Sequence, residues 1–215
     1  MSVRSRVAFA SGVAGLAGAA LLLSGRFDGS IVAALLFVFA ARVAVPASVA
    51  DVRSSASSAL SRHASFAPAW ALIAAAGIVR AGSASIADAR GANAIAGLAV
   101  ARGSVLTVAG VWFAVAAGLV VIASRSSIRG ESTEDPVSLQ RLEIGAVIAQ
   151  AALLVTLFAG PHVTEALDAV SWVAGIGALG AIAWVARDKK VTSAPVVAAV
   201  LSAVGLALTL AGGAP

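Results

Sequence analysis

Apolar stretches about 20 residues long follow one another along the chain, separated by short polar segments, and this pattern admits few folds. A helix of about 20 apolar residues spans the roughly 30 Å of a bilayer's hydrocarbon core. The short alternating strands of a closed barrel are absent, so the spans read as helices, which satisfy their own backbone groups in lipid. Charge agrees, since 12% of the 215 residues are charged against about 25% in a soluble domain. Mean hydropathy is +0.99. The expectation is an all-α chain, one transmembrane domain over residues 1–215, folded as a polytopic integral membrane helical bundle of six or seven transmembrane helices.

The first span runs from about Val7 to Ser24 behind Arg4 and Arg6. A basic start before an apolar run also fits a signal peptide, but the next span begins almost at once, so the first reads as a retained helix. The second covers about Ile31 to Ala50 and contains Arg42 and Pro46. After a Ser-rich stretch, Ser54–Ser65, a short third span runs from about Phe66 to Val79. The stretch Ala81–Gly103 holds Asp88, Arg90 and Arg102 among small residues and reads as a loop, a re-entrant piece or the wet start of the next helix. The fourth span covers about Ser104 to Ser124. In the fifth, Asp135 suits an N-cap and Pro136 the first helical position, and Gly160–Pro161 ends it near Ala159. The sixth and seventh cover about Leu167 to Ala186 and Ala194 to Gly212.

With seven spans, one side of the membrane collects Arg4, Arg6, Arg53, Arg62, Arg125, Arg129, Arg187, Lys189 and Lys190; the other collects Arg26, Arg80, Arg90 and Arg102. The excess of positive charge places the first side in the cytoplasm, so the N-terminus is expected there, in a multi-pass protein of a bacterial cytoplasmic membrane. This topology also accounts for the net charge of +5 without a nucleic-acid partner. Small residues four apart, Ala14 and Gly18 in the first span and Gly177 and Ala181 in the sixth, let membrane helices approach closely. They suit internal packing or a partner-binding face.

Enzyme chemistry finds little material. No cysteine is present, which removes disulfides, thiolate metal sites and cysteine nucleophiles. His63 and His162 lie far apart in apparent loops, and no phosphate-binding loop, HExxH or GxSxG motif occurs. The chain reads as a non-catalytic subunit with no cofactor, no metal and no small-molecule substrate.

Charged groups inside spans are costly, about 2.5–3.5 kcal/mol each at a helix centre on the insertion scale, and they mark function or specific pairing. Glu143 lies about two turns into the fifth span, and at helical spacing Gln140, Glu143, Val147 and Gln150 share one face. A buried carboxylate there suits a proton relay; a glutamate at the lipid–water boundary is the plainer alternative. Arg141 falls on another face and suits snorkelling to the headgroups. Arg42 lies deep in the second span, and Pro46 frees its carbonyl, which suggests a kinked, locally hydrated helix or a structural ion pair. Asp168 and Glu165 sit at the start of the sixth span, as helix N-terminal charges or a second relay site. Trp70, Trp112, Trp172 and Trp184 suit packing or interfacial anchoring.

The fourth to sixth spans, within about residues 104–190, resemble the three-helix K subunit of respiratory complex I and its longer relative, the E component of hydrogenase-4-type complexes. The likeness rests on Val111–Ser124 leading to Arg125, then Leu142-Glu143-Ile144, then Ala174–Ala186 ending in Arg187, Lys189 and Lys190. Phe39, Arg42 and Pro46 resemble an aromatic–cation–proline helix of the E components, with spacing off by about one. The chain departs from the family in its longer, more acidic Arg125–Asp135 loop. It also has an apolar stretch, Val173–Gly175, where a second buried carboxylate is common, with Asp168 more than a turn earlier. The resemblance implies a membrane-arm subunit of a complex-I-like or hydrogenase-type oxidoreductase, with other membrane subunits and lipid as partners and redox chemistry elsewhere. Glu143 would then lie on a proton path with Arg42, Gln150 and Asp168 beside it. A purely structural subunit, or a small stand-alone transporter, are the other readings.

Overall fold

The structure, a computed structural model, describes residues 3–24, 29–49, 61, 64–94, 105–124, 136–158, 173–182 and 193–213. All the regular elements among them are helices. These are α1 (Val3–Leu23), α2 (Ile31–Val49), α3 (Ala67–Ala81), α4 (Ile86–Ala94), α5 (Val105–Ala123), α6 (Pro136–Phe158), α7 (Val173–Ile182) and α8 (Ala194–Ala211). Four stretches, Arg6–Leu23, Val105–Ala123, Gln140–Phe158 and Ala194–Ala211, are long and apolar enough to cross a membrane. Ile31–Ala47, Ala67–Ala81 and Val173–Ile182 are shorter apolar helices.

Local chemistry sets several boundaries. α6 begins on Pro136, whose missing N–H would be unpaired in the first turn anyway. α3 and α8 carry Pro68 and Pro195 in their first turns for the same reason. α3 ends at Gly82, whose φ of 66° is left-handed and open to glycine without a Cβ clash; its N–H closes on the Val79 carbonyl. Pro46, by contrast, lies inside α2 without ending it. The broken helix expected from Arg42 and Pro46 is instead one continuous element.

Close contacts fix the helix directions. A Cβ on Gly12 would meet Ala44 and Leu142, and one on Gly15 would meet the backbone of Phe37 and Ala41. α1 therefore runs antiparallel to α2, and Gly145 against Leu16 sets it parallel to α6. Gly77 against Leu157, with Arg80 reaching the Phe158 carbonyl, sets α3 parallel to α6. Gly110 and Gly205 bring α5 and α8 together antiparallel at backbone contact. A Cβ on Gly205 would lie 2.9 Å from both Ala114 N and Gly110 O, and one on Gly110 would lie 2.7 Å from Gly205 O. The α1–α2 and α5–α8 pairs are the most extensive in the bundle. Without a hydrophobic difference between helix and lipid, such close approach is the main source of attraction between membrane helices.

α6 is the central element and touches α1, α2, α3, α4 and α5. Its C-terminal half, from Ala149 to Phe158, is buried on every side, whereas Val137, Gln140, Arg141, Ile144 and Ile148 are exposed along its first half. A main core surrounds Ile73, Ile122, Leu153, Leu154 and Leu157. A smaller one joins Ala44, Val45 and Leu142, with Phe9 and Leu16 against it.

At the end of the bundle where α3 and α6 finish, two connections are stitched together. Ile31 N–H donates to the Ala84 carbonyl and Ile86 N–H to the Gly29 carbonyl, both at 2.8 Å, so that Ser30 and Ser85 pair as an isolated bridge. The stretch Ala81–Gly103, open in sequence, contains a nine-residue helix, α4, packed on α3 and α6.

Candidate functional site

The polar face of α6 runs from the surface inward. Gln140 is exposed, Glu143 half-buried, Val147 buried and Gln150 only 1% exposed. The face is continuous because the residues are spaced by three, four and three, close to the helical repeat. It sinks because the second half of α6 is enclosed by neighbouring helices and only its first half keeps an outer side. Gln150 Oε1 is buried and accepts no hydrogen bond among the described residues. A bare amide carbonyl in an apolar core is costly, and such groups are normally met by a partner or by water.

Arg42 and Glu143 lie near one level of the bundle, since Ala44 and Leu142 both face Gly12. Arg42 is 5% exposed and its Nη2 donates to the carbonyl oxygen of Ser124 at 2.9 Å. Ser124 follows the last residue of α5, where helix carbonyls lack intrahelical donors and the dipole favours a cation. The Ser124 hydroxyl turns back onto the Val120 carbonyl at 2.7 Å. Arg42 thus ties α2 to the end of α5.

A second arginine, Arg80, does the same at the opposite end of the bundle. Its Nη1 donates to the carbonyls of Phe158 at 3.0 Å and Leu157 at 3.5 Å, closing the C-terminus of α6 from α3. The sequence marked Arg80 only as a flanking charge. Arg90 was likewise assigned to the outer face, yet it is 5% exposed. Its inward position is a property of what packs on α4, which local sequence does not carry.

Asp168, the remaining residue of the expected proton path, lies outside the described residues, as do Glu165, Trp172, Trp184 and both histidines. Arg141 is exposed, as a snorkelling side chain would be. Trp70 is buried in the main core, and Trp112, 70% exposed, lies on the outer side of α5. Among the small residues, Gly18 packs against the Phe37 ring, whereas a Cβ on Gly177 would touch nothing and Ala181 is exposed. α7 turns Gly175, Ile176 and Leu179 inward instead. Among the described residues no three His, Cys, Asp or Glu side chains come together as metal ligands.

The arrangement can therefore do two things: lock helix ends by arginine, and carry a short polar track from the surface of α6 to a buried amide. No known protein family, no curated protein and no solved structure matches the chain.

Proposed function

We propose that this chain is a small membrane-arm subunit of a complex-I-like or hydrogenase-type oxidoreductase, contributing to proton translocation from within the bilayer. The single observation that carries the reading is the face of α6, on which Gln140, Glu143 and Gln150 pass from exposed through half-buried to buried. A carboxylate at the mouth of such a track can take up and release a proton, and a buried amide can hold a water chain beyond it. The Leu142-Glu143-Ile144 likeness to the K subunit and the E components supports the assignment to this class of complex. In this reading α1, α2, α3, α5, α6, α7 and α8 cross the bilayer, or six do if α3 stays at one face. The N-terminus lies in the cytoplasm of a bacterium by charge distribution.

Arg42 favours a second reading. Its hydrogen bond to Ser124 makes it a helix-end clamp, as a purely structural subunit would need. The two readings share a partner-bound life in the membrane, and one experiment tests that shared claim. The tagged chain is extracted from its native membrane in mild detergent and the co-purifying subunits are identified by mass spectrometry. Antiporter-like or hydrogenase-like membrane subunits in fixed ratio support the proposal. A lone chain that transports a solute after reconstitution contradicts it.

A further inference from the structure

α2 and α3 lead into the same short sequence. Ala47-Ser48-Val49-Ala50-Asp51-Val52-Arg53 and Ala84-Ser85-Ile86-Ala87-Asp88-Ala89-Arg90 are identical at five of seven positions, and the other two exchange one aliphatic residue for another. The likeness reaches further back, since Arg42 precedes the first copy by five residues and Arg80 the second by four. Ala50 to Arg53 lie outside the described residues.

The two arginines are equivalent in space as well. α2 runs antiparallel to α1 and α6, whereas α3 runs parallel to α6, so the two copies are inverted relative to each other. Each arginine donates to the end of a helix that runs its own way. Arg42 meets the carbonyl of Ser124, 82 residues on, and Arg80 that of Phe158, 78 residues on. α5 is antiparallel to α6, because Gly118 faces Leu154 while Ser124, beside Arg42, lies toward the start of α6. One approximate two-fold rotation therefore exchanges α2 with α3 and α5 with α6, and carries one clamp onto the other.

These four helices form a ring. Neighbours α2 and α6, α6 and α5, α5 and α3, and α3 and α2 pack side by side. Among the described residues the diagonals, α2 with α5 and α3 with α6, touch least. Each diagonal is spanned by one arginine, at opposite ends of the bundle. Gln150 shares a face with Leu154 and Leu157, which meet Gly118 of α5 and Gly77 of α3. Its buried carbonyl oxygen, without a partner among the described residues, is thus turned to the axis between the clamps.

Inverted copies have a mechanical consequence. A conformation that loosens one copy and tightens the other has a counterpart in which the roles are exchanged. Rocking of one copy against the other then opens the two ends in turn.

We propose that Arg42 with Ser124 and Arg80 with Phe158 are alternating gates at the two ends of the α2–α3–α5–α6 ring, both shut in this structure. The proposal deepens the proton-path reading and rests on it for the cargo. Gates that never open together let water reach Gln150 from one side at a time.

The chain has no cysteine, so single introduced cysteines report on each end without background. Val121→Cys lies one turn inside the Arg42 gate and Ala76→Cys one turn inside the Arg80 gate, both at buried positions. Their alkylation by a charged, water-soluble maleimide is timed in the full chain in bicelles, in otherwise wild-type protein, in Arg42→Gln and in Arg80→Gln. Arg42→Gln is expected to quicken the reaction of Val121→Cys about fivefold or more and to slow that of Ala76→Cys by a like factor, the lower end of an ordinary coupling between sites. Arg80→Gln should do the reverse. Quickening at the mutated end with no slowing at the other overturns the alternation and leaves two independent clamps. Quickening at both ends, or at neither, overturns it as well. Should a Gln variant fail to fold, the Lys variant at that arginine keeps the charge and loses the planar fork, and it must show the same opposed pair of changes or the proposal falls. The thiol reaction reads the gates without proton flux, so ends that alternate in a protein where Glu143→Gln leaves translocation intact uphold the gates and overturn the proton path alone.

Discussion

Arg42 on α2 donates to the carbonyl oxygen of Ser124 across 82 residues of sequence, at 2.9 Å, and so clamps the end of α5. Arg80 and Phe158 repeat the relationship at the other end of the bundle, at 3.0 Å. Two of the buried or half-buried cations thus serve to finish a neighbouring helix, whose last carbonyls have no intrahelical donor.

Arg42→Gln removes the charge-assisted bond and leaves the Ser124 carbonyl without that donor. The expected loss is about 1.5–3 kcal/mol of unfolding free energy, measured by reversible unfolding in bicelles. Arg42→Lys should recover part of it. An unchanged stability in both variants would show that the clamp contributes nothing.

Gly205→Ala should destabilise more than any other single methyl addition on α8. Its Cβ would press at 2.9 Å on backbone atoms of α5, which cannot move aside as a side chain can. Gly177→Ala is the matched control, because its Cβ meets open space. There the alanine should be neutral or stabilising by up to about 1 kcal/mol, from helix propensity. Equal effects at the two positions, in the same unfolding assay, would mean that the α5–α8 contact is looser than described.

Arg80→Met should loosen the last turn of α6 while sparing its first half. Amide hydrogen exchange is the direct readout. Exchange is expected to quicken from Leu154 to Phe158 and to stay as in wild type around Leu142–Val147. Uniform quickening along α6 would indicate global destabilisation rather than loss of an end clamp.

Gln150→Leu separates structure from conduction. Replacing a buried amide that lacks an acceptor's partner by an apolar side chain of similar size should leave stability unchanged or raised. On the proposed proton path, the same change should slow proton translocation in the assembled complex, because it removes the polar group proposed to hold water beyond Glu143. A variant that is both stable and fully active would remove Gln150 from the path.

The sequence was informative where one residue's covalent chemistry decides the outcome. Pro136 marks the start of α6 because a proline suits the first turn, where its missing N–H would be unpaired anyway, and the depth of Arg42 follows from counting along an apolar run. It was silent where the outcome depends on contacts between distant segments. Ser124 could not be read as Arg42's acceptor. The Gly177–Ala181 spacing suits close packing, yet α7 is anchored through Gly175, Ile176 and Leu179, which turns those two residues outward. The polarity of Ala81–Gly103 left several conformations open, and α4 exists because α3 and α6 provide a surface for Ile86 and Ala89. Pro46 was read as freeing the Arg42 carbonyl and kinking the helix, and α2 continues through it as one element. The α6 face was legible because Glu143 and Gln150 are seven residues apart; its passage from exposed to buried needed the rest of the bundle.

The central claim is that Glu143 carries protons at the mouth of the α6 track. Its most direct test is proton translocation by the purified assembly in sealed vesicles, comparing wild type with Glu143→Gln and Glu143→Asp at matched electron-transfer rates. The account predicts a loss of about a hundredfold or more in Glu143→Gln, the lower part of the range for removing a positioned proton-transfer group, with substantial recovery in Glu143→Asp. Translocation at the wild-type rate in Glu143→Gln would contradict it and leave the chain as a scaffold.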